Sequence, residues 1–163
     1  MAAKSHHGKD KQQGPVAVNK KAYHDYELFD KYEAGLSLVG TEVKSLRMSQ
    51  ADLSGSYARI EGEESWLIGA NIAQYEQASV AAGHEMKRKR KLLLHKRELY
   101  KIRTKLEQRG FTLVPLRIYF NSRGFAKVEL ALAKGKKQYD KRRTITELQQ
   151  KKDIDRDTKK YRK

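Results

Sequence analysis

Ala126, Val128, Leu130 and Leu132 alternate with polar or small residues directly after the turn-forming run Asn121-Ser122-Arg123-Gly124. Strict alternation marks a strand with one buried face. The stretch from Phe111 to Phe120 before the turn is rich in β-branched and aromatic residues, so the two segments predict an antiparallel hairpin. Pro115 has no N–H to give a ladder, which predicts an edge position or a bulge there. A second hairpin is expected where residues 56–60 and 65–72 flank Glu61-Gly62-Glu63-Glu64. Tyr23, Leu28, Phe29, Tyr32, Leu36 and Leu38 fit a third, folded around Glu33-Ala34-Gly35 with Gly35 in the turn. Six strands must hide their edges, and the economical solution is a closed or nearly closed antiparallel barrel of the oligonucleotide-binding type.

Two helices fit between these strands, giving a mainly β fold with some α. Gly40-Thr41-Glu42-Val43-Lys44-Ser45-Leu46-Arg47 opens with a Thr able to cap and carries a short apolar stripe. Leu92, Leu99, Ile102 and Leu106 recur at helical spacing, which predicts an amphipathic helix over residues 92–109, stopped by Gly110. Its polar face carries His95, Lys96, Arg97, Lys101, Arg103 and Lys105.

Charge narrows the function. The 163-residue chain has a net charge of +16, but residues 23–86 are acidic. The excess of Lys and Arg sits in residues 1–22, in residues 87–109 and after residue 133. The block Lys87-Arg88-Lys89-Arg90-Lys91 runs straight into Leu92-Leu93-Leu94, so it is anchored at the edge of a core rather than free in a loop. Segregated positive charge neutralises phosphates, and interleaved Tyr, His and Trp stack on unpaired bases. No major-groove motif is visible, which favours RNA over duplex DNA.

The expected layout is a disordered basic arm over residues 1–18, an RNA-binding barrel over 19–134 and a basic tail over 135–163 that orders on a partner. There is no cysteine, which excludes disulfides, thiolate metal sites and cysteine nucleophiles. His24-Asp25, His95 and the carboxylates of Glu33 and Glu42 form no recognisable catalytic constellation, and no phosphate loop or metal-ligand spacing occurs. No enzyme activity, cofactor, metal or small-molecule substrate is therefore expected. No apolar run approaches the ~20 residues of a membrane helix, and a cytoplasmic monomer is the expectation. The other classes weighed are a structural ribosomal protein and a small nuclease.

Several stretches together carry a family resemblance: Asn19-Lys-Lys-Ala-Tyr-His-Asp-Tyr26, Gly40-Thr-Glu-Val-Lys-Ser-Leu-Arg47, Arg90-Lys-Leu-Leu-Leu-His-Lys-Arg-Glu-Leu99, Gly110-Phe-Thr-Leu-Val-Pro115 and Lys127-Val-Glu-Leu-Ala-Leu-Ala-Lys-Gly-Lys-Lys137. In this order they resemble the SsrA-binding protein (small protein B) family, the partners of transfer-messenger RNA (tmRNA) in bacterial ribosome rescue. The resemblance implies a barrel that binds the transfer-RNA-like domain of tmRNA, supports its alanylation and delivers it to stalled ribosomes. It implies RNA-binding roles for Asn19, Glu33 and Leu93, which the basic residues Lys20, Lys21, Lys89, Arg90 and Lys91 are expected to join. It further implies that Gly135, Lys136, Lys137, Tyr139, Asp140, Lys141 and Arg142 lie near the decoding centre of 16S ribosomal RNA, with the tail beyond becoming helical in the empty mRNA channel. Many relatives have His where this chain has Tyr139, an aromatic that can stack but offers no imidazole.

Overall fold

Strand order decides what this chain presents to its surroundings, and it departs from the sequence pattern at one point. The computed structural model describes residues 14–77, 83–108 and 110–136. Among these residues the elements run β1 (Ala17–Val18), α1 (Lys20–Asp25), β2 (Tyr26–Leu36), α2 (Gly40–Arg47), β3 (Ala51–Asp52) and β4 (Tyr57–Glu61). They continue with β5 (Glu64–Ile68), β6 (Asn71–Ile72), β7 (Arg90–Leu93), α3 (Lys96–Leu106), β8 (Phe111–Phe120) and β9 (Ala126–Gly135). Strands β8, β4, β5, β7, β2 and β9 pair in that order, and β9 returns to β8, so six antiparallel strands close on themselves. Closure is uneven: β2–β9 and β8–β9 are long ladders, while β4 meets β8 only at Ala58 and Leu113. β1 hangs on the outside of β8, and β3 with β6 forms a separate two-stranded ribbon.

Two of the expected hairpins, β4–β5 and β8–β9, are formed, with a register shift between Pro115 and Arg117 where a bulge was anticipated. The third is not. Residues 26–36 make one continuous strand, and Gly35 is no turn: it pairs with Lys127 on one side and Leu93 on the other. A Cβ at Gly35 would lie 3.2 Å from that of Leu93, so glycine serves close approach of strands here. The sixth strand comes instead from the basic block. In β7, Arg90 and Leu92 point inward while Leu93 points out, which removes Leu92 and Leu93 from the expected helix. Helix α3 begins at Lys96, and the Glu98 carboxylate accepts from the His95 backbone N–H at 3.3 Å.

The main core fills the barrel with Leu67, Leu113, Ile118, Val128, Leu130 and Leu132, sealed by Leu46 of α2 and Ile102 of α3. A smaller core lies on the outer face of β8–β9, where Ala22 of α1 covers Val114, Leu116, Ala131 and Ala133. These two strands are thus buried on both faces near the bulge. Part of the expected N-terminal arm is ordered against the barrel: Ala17–Val18 form β1, Ala17 is buried, and the Val16 N–H donates to the Ile118 carbonyl at 2.8 Å.

One buried ionic cluster ties α2 to β7. Glu42 is fully buried, and its carboxylate accepts from Arg88 Nε at 2.7 Å and Nη2 at 2.6 Å, from Arg90 Nε at 2.8 Å and from the Val39 N–H at 2.9 Å. Arg90, equally buried, donates onward to the carbonyls of Ala70 at 2.6 Å and Met86 at 2.8 Å. Burial pushes the Glu42 carboxyl upward, but the donors from Arg88, Val39 and Arg90 outweigh it and hold the group below its ordinary range. Thr41, expected as the cap of α2, bonds His84 Nδ1 at 2.9 Å instead, and Glu42 satisfies the helix end.

Glu42→Gln removes the charge opposite a buried guanidinium, and a loss of about 3–5 kcal/mol is expected in urea denaturation at neutral pH. Because the folded Glu42 carboxyl is depressed, its contribution is complete above the unfolded value of about 4.3. It drains away as pH falls through the lower folded value. Urea midpoints measured from pH 7 to pH 3 should therefore fall more steeply on the acid side for the parent chain than for Glu42→Gln.

Candidate nucleic-acid interface

At one end of the barrel, β2, β7, α3 and the β8–β9 turn enclose a cleft of about 800 Å³ whose walls include Glu33, Leu93, His95, Tyr119, Phe125 and Lys127. β2 supplies Glu33 because Ala34 and Leu36 beside it point into the core. β7 supplies Leu93, which is 58% exposed because Leu92 takes the inward position. The turn supplies Phe125, 63% exposed. It is held there by the Asn121 side-chain oxygen, which accepts from the N–H groups of Arg123 at 3.1 Å and Phe125 at 2.8 Å, and by Gly124 at φ +80°.

Charges on the outer face of β2, β9 and β8 form a cross-strand ladder. Glu33 and Glu129 lie opposite each other in the β2–β9 register, an arrangement that repels unless each has a cation. Lys127 Nζ sits 3.2 Å from Glu33, while Lys31 at 3.3 Å and Arg117 serve Glu129. The Arg117 guanidinium stacks over the Tyr119 ring at 5.4 Å, and the Tyr119 hydroxyl donates to Glu33 Oε2. This hydrogen bond, aided by Lys127, holds the Glu33 carboxyl below its ordinary range. Burial, then the Glu33 hydrogen bond and charge, pushes the Tyr119 hydroxyl far up, so it remains a donor. Glu33 is consequently an ionised acceptor whose side chain is about half exposed to the cleft.

The residues singled out in the sequence separate into three groups. Glu33 and Leu93 meet in the cleft. Lys20, Lys21 and Lys89 are exposed outside it, and Lys91 is engaged on the surface by Glu64 of β5. Asn19 and Arg90 are buried, a correction to their expected direct contact with RNA. Asn19 caps α1, its oxygen accepting from Ala22 N–H at 3.1 Å while its amide donates to the carbonyls of Pro115 at 3.1 Å and Leu53 at 3.2 Å. All three polar functions of its side chain are used inside the protein. Arg90 is likewise consumed by Glu42 and backbone carbonyls. Gly135 ends β9 opposite Tyr26, and Lys136 is tied to α1 through its N–H to Asp25 at 3.0 Å and its ammonium to Tyr23 at 3.3 Å. The tail thus departs from the end of β9 away from the cleft, eight residues or about 27 Å from Lys127. Lys137, Tyr139, Asp140, Lys141 and Arg142 lie outside the described residues.

Sequence reasoning did not find Tyr119, Phe125 or Lys127. Only Phe125 carried a signal, an aromatic placed just after a turn glycine. The outer face of α3 does present Lys96, Arg97, Lys101, Arg103 and Lys105, all exposed, around Tyr100 at 73% exposure. Among the described residues no cluster of three His, Asp or Glu side chains could hold a metal ion, and no helix is long and apolar enough to cross a membrane.

Residues 16–160 match the model of the family described as SmpB protein. The chain belongs to the SmpB family. It is 51% identical over 148 residues to an SsrA-binding protein of Streptomyces avermitilis, spanning 91% of this chain and 82% of that relative. It is 57% identical over 129 residues to an SsrA-binding protein of Thermus thermophilus, spanning 79% and 89%. A solved structure described as "tmRNA-SmpB: a journey to the center of the bacterial ribosome" superposes with a TM-score of 0.64 at 56% identity, over 74% of this chain and 84% of that one. That likeness agrees with the closed sheet described above, and the family membership gives the cleft and the basic surfaces a common context.

Asn19 gives a sharp expectation because its burial and the RNA contact that the resemblance implies pull apart. Asn19→Ala should cost at least about 1–2 kcal/mol of folding stability in urea titrations, through the lost cap and two stranded carbonyls. Its effect on RNA affinity should vanish under conditions where the variant is fully folded and α1 is in place, as monitored by amide hydrogen exchange of α1.

Proposed function

We propose that this chain is a non-catalytic RNA-binding adaptor of trans-translation, which binds the transfer-RNA-like domain of tmRNA and carries it to stalled ribosomes. The observation that supports this most directly is the cleft: an ionised Glu33, an exposed Leu93 and an exposed Phe125 converge at one end of the barrel of a chain whose net charge is +16. A wholly basic surface would serve any polyanion, whereas a carboxylate inside a basic protein discriminates among RNA elements. The similar proteins are named for binding SsrA, and the solved neighbour is named for tmRNA, SmpB and the bacterial ribosome.

In this reading phosphates are taken by Lys20 and Lys21 of α1 and by the outward lysines Lys87 and Lys89, while the cleft receives unpaired nucleotides. Support of alanylation follows from holding the transfer-RNA-like domain in one conformation, with no reacting group supplied by the protein. The tail from Gly135, including Lys137, Tyr139 and Arg142, occupies the decoding centre and the vacant mRNA channel. Its point of departure, about 27 Å along β9 from the cleft, suits a molecule that holds one RNA at one end and probes another at the other. A cytoplasmic monomer is the form this role requires.

A gel-shift titration of the full chain against the transfer-RNA-like domain, with ordinary transfer RNA as competitor, tests the reading. Binding should survive the competitor and weaken steeply with salt, log affinity falling by up to roughly 0.9 per neutralised phosphate for each decade. Equal binding to both RNAs would leave only charge and defeat it. Truncation after Gly135 should keep that affinity but abolish tagging of nascent chains in a reconstituted stalled-ribosome assay; loss of both together would refute the division of labour.

A further inference from the structure

The cleft does more than accept RNA in general, because one of its two carboxylates, Glu33 rather than the helix-capping Glu98, is committed in a particular way. An ionised carboxylate has about four acceptor positions and no donor. On Glu33 the Tyr119 hydroxyl takes one position at Oε2 and the Lys127 ammonium takes one at Oε1. Each oxygen therefore keeps one acceptor position, and the side chain is 49% exposed to present them. Two acceptors on one rigid group fit two neighbouring donors. Among the nucleobases, adenine, cytosine and uracil each offer a single donor group on their Watson–Crick edge, and a ribose 2′-hydroxyl offers one donor. Guanine alone presents two adjacent donors, N1–H and the N2 amino group. A phosphate, all acceptor and negative, is repelled from the same spot.

We propose that the cleft holds an unpaired guanine, its N1–H and N2 amino group donating to the two oxygens of Glu33 and its face packed on Phe125. Tyr119 and Lys127 are then positioning residues. They fix the plane of the carboxylate before RNA arrives, so little conformational freedom is lost on binding. Arg117, stacked on Tyr119 and paired with Glu129, fixes Tyr119 in turn. Phe125 stands on a turn braced by Asn121, so its exposed ring is a prepared stacking surface. The proposal rests on the RNA-adaptor reading for its choice of ligand, but its chemistry is local and can be tested apart from it.

The test uses the full chain and three RNA hairpins whose uridine loops carry a single guanosine, inosine or adenosine. Inosine keeps N1–H and lacks the N2 amino group. The guanosine hairpin should bind about tenfold more tightly than the other two, the scale of one bidentate base contact. Glu33→Gln should erase that preference. Tyr119→Phe, which keeps the ring in its buried place, should reduce the preference, and little further should be lost when it is combined with Glu33→Gln. Phe125→Ala should weaken all three hairpins alike. Equal binding of the three hairpins by the parent chain would overturn the guanine subsite even if the transfer-RNA-like domain is still preferred over transfer RNA. A guanosine preference without that larger preference would instead overturn the adaptor reading and leave the subsite standing.

Discussion

The buried pairing of Glu42 with Arg90, extended by Arg88, fixes which side of the basic block faces the protein. Side chains alternate along a strand, so once Arg90 is committed to Glu42, Leu92 must enter the core and Leu93 must leave it. A slip of one residue would put Lys91 against Glu42 and turn Leu92 to solvent. The clamp therefore carries the register of β7, and β7 carries one wall of the cleft. A buried ion pair is weak evidence for stability in itself, since burial of both charges is costly. Here its clearest consequence is geometric: five consecutive basic residues are divided into arginines that pair with Glu42 and outward lysines, of which Lys91 pairs with Glu64 and Lys87 and Lys89 stay exposed.

The second constraint is the two-sided burial of β8 and β9. Their inner faces fill the barrel and their outer faces, near the Pro115 bulge, are covered by α1. Asn19 makes that cover hold, joining the α1 cap to the backbone of β8 and of residue 53. Farther along the same strands the outer face is uncovered and carries the ladder that ends at Glu33. One pair of strands thus supplies a closed end, from which the tail departs, and an open end that forms the cleft.

The parts of the fold legible in the sequence were the local ones. β4–β5 and β8–β9 are joined by short turns whose glycines sit at positive φ, at Gly62 and Gly124, and the register shift in the β8–β9 ladder falls at Pro115, which the sequence itself marks. β2 was misread because a register shift between Leu28 and Lys31 breaks its alternation, and because Gly35, which looks like a turn residue, serves strand contact. β7 was hidden behind its charges: nothing near Arg90 shows that its partner lies 48 residues earlier. At the site, Glu33 and Leu93 were reachable through resemblance, whereas Tyr119 reaches Glu33 across 86 residues and no local pattern announces it. Asn19 stood out through the resemblance and Arg90 through its charge, whereas the structure engages both side chains internally.

In the proposed role, affinity and selectivity are supplied by different parts of the molecule. Lysines on α1, on the approach to β7 and on the face of α3 provide positive charge without sequence information, and salt weakens all of them in the same way. The ladder beside the cleft adds little to the field, since Glu33 and Glu129 offset two of the three cations Lys31, Arg117 and Lys127. What it adds is direction. A largely neutralised ladder does not attract phosphate strongly, but it orients an acceptor that only a base edge or a hydroxyl can satisfy. In that role, placing such an ordered patch inside a strongly basic protein raises the cost of every wrong RNA in the cleft relative to the right one, while leaving diffusion toward RNA as fast as the surrounding charge makes it.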